Sequence, residues 1–227
     1  MVKQSTSRRL IYTDLGNVEF DAAWNLQHNL FDDRLSNKID DTLLLLEHPH
    51  TYTFGKSADK NNLLLSEEEL SKKKIALFDI DRGGDITYHG PGQIVGYPII
   101  SLKEWFQDTH KYLRALEEVI IKTLSEFGIE SNRLEQHTGV WINDKKICAI
   151  GIKVTRWITM HGFAFNVNTD MDLFNGIIPC GIEDKGVTSL QEILGKKVNI
   201  DLVKKKLVNN FKNIFSYHKI EIKNIAI

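Results

Sequence analysis

A chain of 227 residues can enclose one sizeable core, and 42% hydrophobic with 26% charged residues is the profile of an ordinary soluble globular protein. Twenty-nine Lys and Arg against 30 Asp and Glu leave a formal charge of −1, so no global field recruits nucleic acid or a membrane surface, and an acidic partner must be met by a local basic patch. Two isolated cysteines, Cys148 and Cys180, exclude a disulfide framework; no apolar run can span a bilayer and residues 1–9 hold no signal core, so a cytoplasmic protein is expected.

No repeat or linker divides the chain, which reads as a single domain over 1–227. Residues 19–35 set Phe20, Trp24, Leu30, Phe31 and Leu35 among polar residues, the spacing of an amphipathic helix. Thr42–Glu47 is an apolar run stopped by His48-Pro49 and predicts a buried strand. A short charged helix is expected at Ser66–Lys74, then a strand near Ile75–Asp81 and a buried strand at Ile94–Ile100. Leu113, Leu116, Ile120, Leu124 and Phe127 give the apolar stripe of a helix from Thr109 to Phe127, with Gly128 past its end as a cap.

Thr138–Ile142 and Lys146–Val154 flank Asn143-Asp144-Lys145, a hairpin turn. Phe163, Phe165 and Val167 alternate with smaller or polar residues, which predicts a strand with one buried face. Ser189 with Glu192 fits a capping box, and Ile200–Phe215 closes the chain as a basic amphipathic helix. Strands come in pairs, so the expected class is α/β (α+β), a mixed β-sheet flanked by helices.

The densest chemistry lies in Arg82-Gly83-Gly84-Asp85-Ile86-Thr87-Tyr88-His89, followed by Gly90, Gly92 and Gln93. Glycines there let the backbone approach a ligand closely and present N–H donors, and the polar side chains beside them favour a binding loop. It is no nucleotide loop, because G-x-G-x-x-G is absent and Gly55-Lys56-Ser57 has His50 where a Walker motif needs its first glycine. In Lys145–Lys153, strand alternation sets Ile147, Ala149, Gly151 and Lys153 on one face and Cys148, Ile150 and Ile152 on the other, with Cys148 packed as a small hydrophobe. Spacing alone leaves Lys146 as a surface charge. His161, opening His161-Gly162-Phe163-Ala164, is structural or lines a pocket. His48 and His50 match no metal spacing, and no zinc pattern exists, so no metal is expected. Cys180 stands between Pro179 and Gly181, turn-formers that expose a sulfur; on that flank alone an inert thiol and a nucleophile are both open.

Together these segments resemble the octanoyl-acyl-carrier-protein:protein transferases, the lipoyl(octanoyl) transferase or lipoate-protein ligase B family. Its signature R-G-G-x-x-T-aromatic-H-x-x-G-Q-x-aliphatic-x-Y is met by Arg82, Gly83, Gly84, Thr87, Tyr88, His89, Gly92, Gln93, Val95 and Tyr97. The lysine-strand, His161-Gly162 and Pro179-Cys180-Gly181 blocks follow in the family's order, and the likeness covers roughly residues 10 to 195.

The resemblance implies a biotin/lipoate protein ligase-like catalytic domain and an octanoyltransferase in which Cys180 carries the acyl group as a thioester and Lys146 is its partner. It implies an acyl pocket lined by Arg82–His89 (Arg82, Gly83, Gly84, Asp85, Ile86, Thr87, Tyr88 and His89), Ala149, Ile150 and Gly151, and His161, Gly162, Phe163 and Ala164. The implied donor is octanoyl-acyl carrier protein. The implied acceptors are lipoyl domains of 2-oxoacid dehydrogenase E2 subunits and the glycine cleavage H protein. The expected chain is a monomer, with no cofactor because a thioester donor is already activated.

Lys145, Lys153 and Arg156 are candidates for docking the acidic carrier. Three competing readings are an ATP-dependent lipoate or biotin ligase, a thiol hydrolase using His89 or His161 as base, and a non-catalytic acyl- or carrier-binding module.

Overall fold

The computed structural model describes residues 8–178 and 185–226. In chain order, β1 (Arg9–Asn17), α1 (Phe20–Leu35) and β2 (Asp41–Glu47) precede a small unit of β3 (Thr51–Phe54), α2 (Glu67–Lys73), β4 (Ala76–Asp79) and β5 (Thr87–His89). Next come β6 (Gln93–Ile99), α3 (Thr109–Ser125), β7 (Asn132–Leu134), β8 (His137–Ile142), β9 (Lys145–Thr155) and β10 (Ile158–Asn166). The chain ends with β11 (Gly186–Val187), α4 (Leu190–Leu194), α5 (Ile200–Ile214) and β12 (Lys219–Ile222).

Among the described residues the main sheet runs β12-β1-β2-β6-β10-β9-β8-β7, with β11 beside β9, and a second sheet runs β4-β3-β5. Pairings β1–β2, β1–β12 and β11–β9 are parallel, while β2–β6, β6–β10, β10–β9 and β9–β8 are antiparallel, so the sheet is mixed as expected.

Helices cover both faces of this sheet, which explains the unbroken apolar run of β2. Leu44 and Leu46 pack with Ala23, Leu26 and Leu30 of α1, while Leu43 and Leu45 join the larger core under α3 and α5. The same sandwich corrects the expectation of one buried face for the Phe163 strand: every residue of β10 is buried. A strand covered on both sides has no solvated face to carry alternation. α3 starts on the Asp108 side chain, which accepts from Lys111 N, and stops where Gly128 takes φ +75 and Ile129 N donates to Leu124 O. The predicted box at Ser189 is half formed: Ser189 accepts from Glu192 N, but the Glu192 carboxylate takes the Thr188 hydroxyl instead.

The edge strand β12 and its neighbour β1 are tied in by charge. Asp41, opening β2, accepts from Arg8 Nη2 at 3.0 Å, Arg34 Nε at 2.8 Å, Ser101 N at 2.8 Å and the Tyr217 hydroxyl at 2.6 Å. The two guanidiniums and the carboxylate are all buried. One carboxylate thus fastens the chain's beginning, the end of α1, the segment after β6 and the segment after α5.

Candidate active site

β9 would place Lys146 on the same side as Cys148 if its alternation were unbroken. It is broken: Val140 pairs with Cys148 and Trp141 with Lys146, so Ile147 is an extra residue in β9, a β-bulge. Ile147 and Cys148 both enter the main core, and Lys146 falls on the face of Ala149. The expected grouping of Ile147 with Ala149 is corrected by this one inserted residue. Burial pushes the Cys148 thiol far above its ordinary range, outweighing the opposing pull of the Lys146 charge and of the Ala164 backbone. Cys148 is an inert packing residue. Lys146 is 7% exposed, with its ammonium 4.9 Å from the Trp141 ring centroid. Gly139 leaves space for it: at φ +127, a Cβ there would lie 2.6 Å from the Cys148 carbonyl oxygen and 3.5 Å from Lys146 Cδ and Cε.

At the middle of the α1 face, β9 and β10 present small residues. Ala164 pairs with Ala149 and Gly162 with Gly151, giving a smooth trough between bulkier neighbours. Over it lies the Arg82–His89 segment. Gly83 N donates to Ile152 O, and a Cβ on Gly151 would meet Gly83 O at 2.8 Å and Arg82 Cδ at 2.9 Å, so only glycine permits that approach. The half-open cavity between them has a volume of about 450 Å³. Arg82, Gly83, Gly84, Asp85, Thr87 and His89 line it, with Lys146, Ala149, Ile150, Gly151, His161, Gly162, Phe163 and Ala164.

Ile86 and Tyr88 do not line it. β5 alternates like any strand, so Thr87 and His89 face the trough, while Ile86 and Tyr88 pack with Tyr52, Phe54 and Phe174 on its far side. Tyr88 accepts or donates there to His50 Nδ1 at 2.8 Å. Phe20, Ile80, Val95, Tyr97 and Leu113 also line the cavity without having been expected in it. Val95 and Tyr97 alternate on β6, a signal the sequence carried; Phe20 and Leu113 read equally well as helix core. Pro179-Cys180-Gly181 lies outside the described residues.

His48, His89 and His161 are held neutral by burial and by fixed partners. His89 Nδ1–H donates to Gln93 Oε1 at 2.9 Å, since the Gln93 amide nitrogen donates to Tyr88 O and to Asn166 Oδ1. Arg82 Nη2 donates to Thr53 Oγ1 at 3.0 Å, which leaves the Thr53 hydroxyl to donate to His89 Nε2 at 3.3 Å. Burial carries the His89 pKa well below its usual range. Asn166 continues the chain to Thr188 O, and Thr188 N donates to Lys146 O.

His48 Nδ1–H donates to Val18 O at 2.7 Å and Nε2 accepts from the Tyr97 hydroxyl at 2.8 Å, with burial lowering its pKa to about 4. His161, at φ +58, donates from Nε2 to Asp81 Oδ1 at 2.8 Å, and burial lowers its pKa to about 4 despite that carboxylate. Partial burial raises Asp81, but hydrogen bonds from Lys153 and His161 win and hold it at about 2. Lys153 is therefore engaged beside the cavity, and of the three docking candidates Lys145 and Arg156 stand exposed. Among the described residues no cluster of His, Cys, Asp or Glu could hold a metal ion, and no helix is long and apolar enough to cross a membrane.

Residues 19–212 match the family described as lipoyl protein ligase A/B catalytic domain. The chain belongs to that family. It is 50% identical over 226 residues to an octanoyltransferase of Flavobacterium johnsoniae, covering 92% of this chain and 97% of the relative. It is 49% identical to an octanoyltransferase of Christiangramia forsetii, covering 89% and 94%. Relatives so named are acyltransferases, and the chain is an enzyme of their kind. In fold it is similar to a lipoate protein ligase of T. acidophilum with bound lipoic acid, at TM-score 0.72 and 16% identity over 96% of this chain and 90% of that one. The expected lipoate ligase-like architecture is therefore the observed one.

Proposed function

We propose that this enzyme moves an octanoyl group from octanoyl-acyl carrier protein to a lysine of a lipoyl domain, with Cys180 as transient thioester and Lys146 as its proton partner. The observation that carries this reading is the trough of Ala149, Gly151, Gly162 and Ala164, which runs to a buried lysine. From Ala164 to His161 the floor is roughly 10 Å long at ~3.3 Å per residue. An octanoyl chain built of ~1.5 Å bonds extends about 9 Å. Apolar walls and an absence of side-chain bulk suit a linear acyl chain.

In the first half-reaction the Cys180 sulfur attacks the donor's thioester carbonyl, a C–S bond forms, and the carrier's thiolate leaves with a proton from Lys146. In the second, the acceptor lysine's amine attacks the acyl-enzyme, its proton passes by way of Lys146, and Cys180 leaves. Lys146 thus gives a proton in one half and takes one in the other. Because the donor is already a thioester, the cycle balances without ATP.

His89 has both ring nitrogens engaged and His161 is bonded to Asp81, which weighs against a hydrolase using either as base. We place the acceptors among lipoyl domains of 2-oxoacid dehydrogenase E2 subunits and the glycine cleavage H protein, the enzyme in the cytoplasm as a monomer, and carrier docking at Lys145 and Arg156.

Octanoyl-carrier protein, a lipoyl domain and enzyme incubated without ATP should yield a lipoyl domain heavier by one octanoyl group. Transfer only from free octanoate with ATP would establish a ligase instead. No transfer from either donor would leave a binding module.

A further inference from the structure

Thr87, Lys146, Ala149 and Ala164 line the acyl-sized cavity and also a second, much smaller one beside it, completed by Gln93, Asn166, Phe174 and Val187. This niche has a volume of about 10 Å³, the room of one water-sized atom such as an oxygen. It opens at the end of the trough where Lys146 stands, which is where the carbonyl of a bound acyl chain must lie if Lys146 serves the reacting bond. Its polar lining is not equally able to donate. Both protons of the Gln93 amide are used on Tyr88 O and Asn166 Oδ1, and Asn166 spends one of its two on Thr188 O. Thr87 is different. β5 aims its side chain at the trough, it is buried, and its hydroxyl makes no hydrogen bond to any described residue. A hydroxyl without a partner, opening onto an oxygen-sized niche, is a donor held ready.

We propose that this niche is the oxyanion site of the transfer reaction and that the Thr87 hydroxyl is a catalytic donor in it. The inference rests on the acyl-transfer reading above and assigns a further group to it. When the thiolate sulfur bonds to the acyl carbon, the carbonyl π pair moves onto oxygen, and that oxygen takes the niche. Thr87 donates a hydrogen bond to it and keeps its proton. As the tetrahedral adduct collapses, the pair returns, the C=O re-forms and the donor's C–S bond breaks. Such a donor is worth most in the transition state because the negative charge exists only there.

The test is the single-turnover rate of acyl-enzyme formation from octanoyl-carrier protein, read by intact mass, for wild type, Thr87→Val and Thr87→Ser. Valine keeps the shape of threonine and the strand, so melting temperature should be unchanged and carrier affinity nearly so. The acylation rate of Thr87→Val should fall about 100-fold, the lower end of what losing one oxyanion donor costs. Thr87→Ser keeps the donor and should stay within about threefold of wild type. A Thr87→Val enzyme that acylates at the wild-type rate overturns the Thr87 assignment alone. If wild type forms no acyl-enzyme, the underlying acyl-transfer reading falls and this assignment falls with it. A rate lost equally in Thr87→Val and Thr87→Ser would mean that the site depends on the threonine methyl, and that too overturns it.

Discussion

Two buried polar assemblies share this fold and are built on opposite principles. At one end of the main sheet, Asp41 gathers two guanidiniums, a backbone N–H and a phenol. Under the cavity, the chain from Arg82 through Thr53, His89, Gln93 and Asn166 to Thr188 is neutral beyond its first member, and each donor meets one acceptor. The charged hub binds four distant segments together, and its strength comes from Coulombic attraction in a dry site. The second chain fixes the roof and floor of the cavity through matched hydrogen bonds. The difference shows that buried polar groups fasten a fold and shape a site by separate means.

The comparison breaks most visibly at Asp41. Asp41→Ala leaves Arg8 and Arg34 buried without their shared carboxylate, and urea unfolding should register a loss of about 3–5 kcal/mol. Acid should act on the other assembly's neighbourhood. His48 has a folded pKa of about 4 against 6.5, so below 6.5 the unfolded chain binds a proton that the folded chain does not. Stability conferred by His48 is therefore complete above pH 6.5 and is lost as pH falls toward 4, by about 3 kcal/mol when fully expressed. His161 adds a loss of the same sign in the same window. Asp81 works below it: its stabilisation is present above 3.8 and disappears only as pH falls through about 2. Unfolding measured between pH 7 and 4 should show a falling midpoint, and His48→Gln should flatten the fall.

Gln93→Leu strips partners from His89 Nδ1, Tyr88 O and Asn166 Oδ1, and should cost about 1–3 kcal/mol in urea unfolding while slowing transfer. Smallest is Arg156→Glu, which sits on an exposed turn and should raise the Michaelis constant for the carrier severalfold in low salt, with turnover and stability unchanged.

Much of this was readable in the chain. The helices at 20–35, 109–125 and 200–214 follow apolar spacing, and the glycine-rich segment lies over the cavity. What was not readable came from context. The edge strand β12 carries exposed and half-exposed residues and is a strand because β1 holds it there, while β1, with Leu10 in the main core, pairs with β2. The bulge at Ile147 is invisible to alternation, because only the pairing with β8 reveals that one residue is extra. Leu113 has the spacing of the α3 core stripe, yet it borders the cavity. Ile86 and Tyr88 sit inside the family signature, but β5 turns them away from the cavity.

The central claim is that Cys180, and not the buried Cys148, carries the acyl group with Lys146 beside it. Intact mass spectrometry of the enzyme after incubation with octanoyl-carrier protein tests it most directly. The account predicts one added octanoyl mass, labile to hydroxylamine, on wild type; no thioester on Cys180→Ser; and slow or absent acylation of Lys146→Ala. An octanoyl adduct of unchanged yield on the Cys180→Ser enzyme, or full transfer by Cys180→Ala, would contradict it.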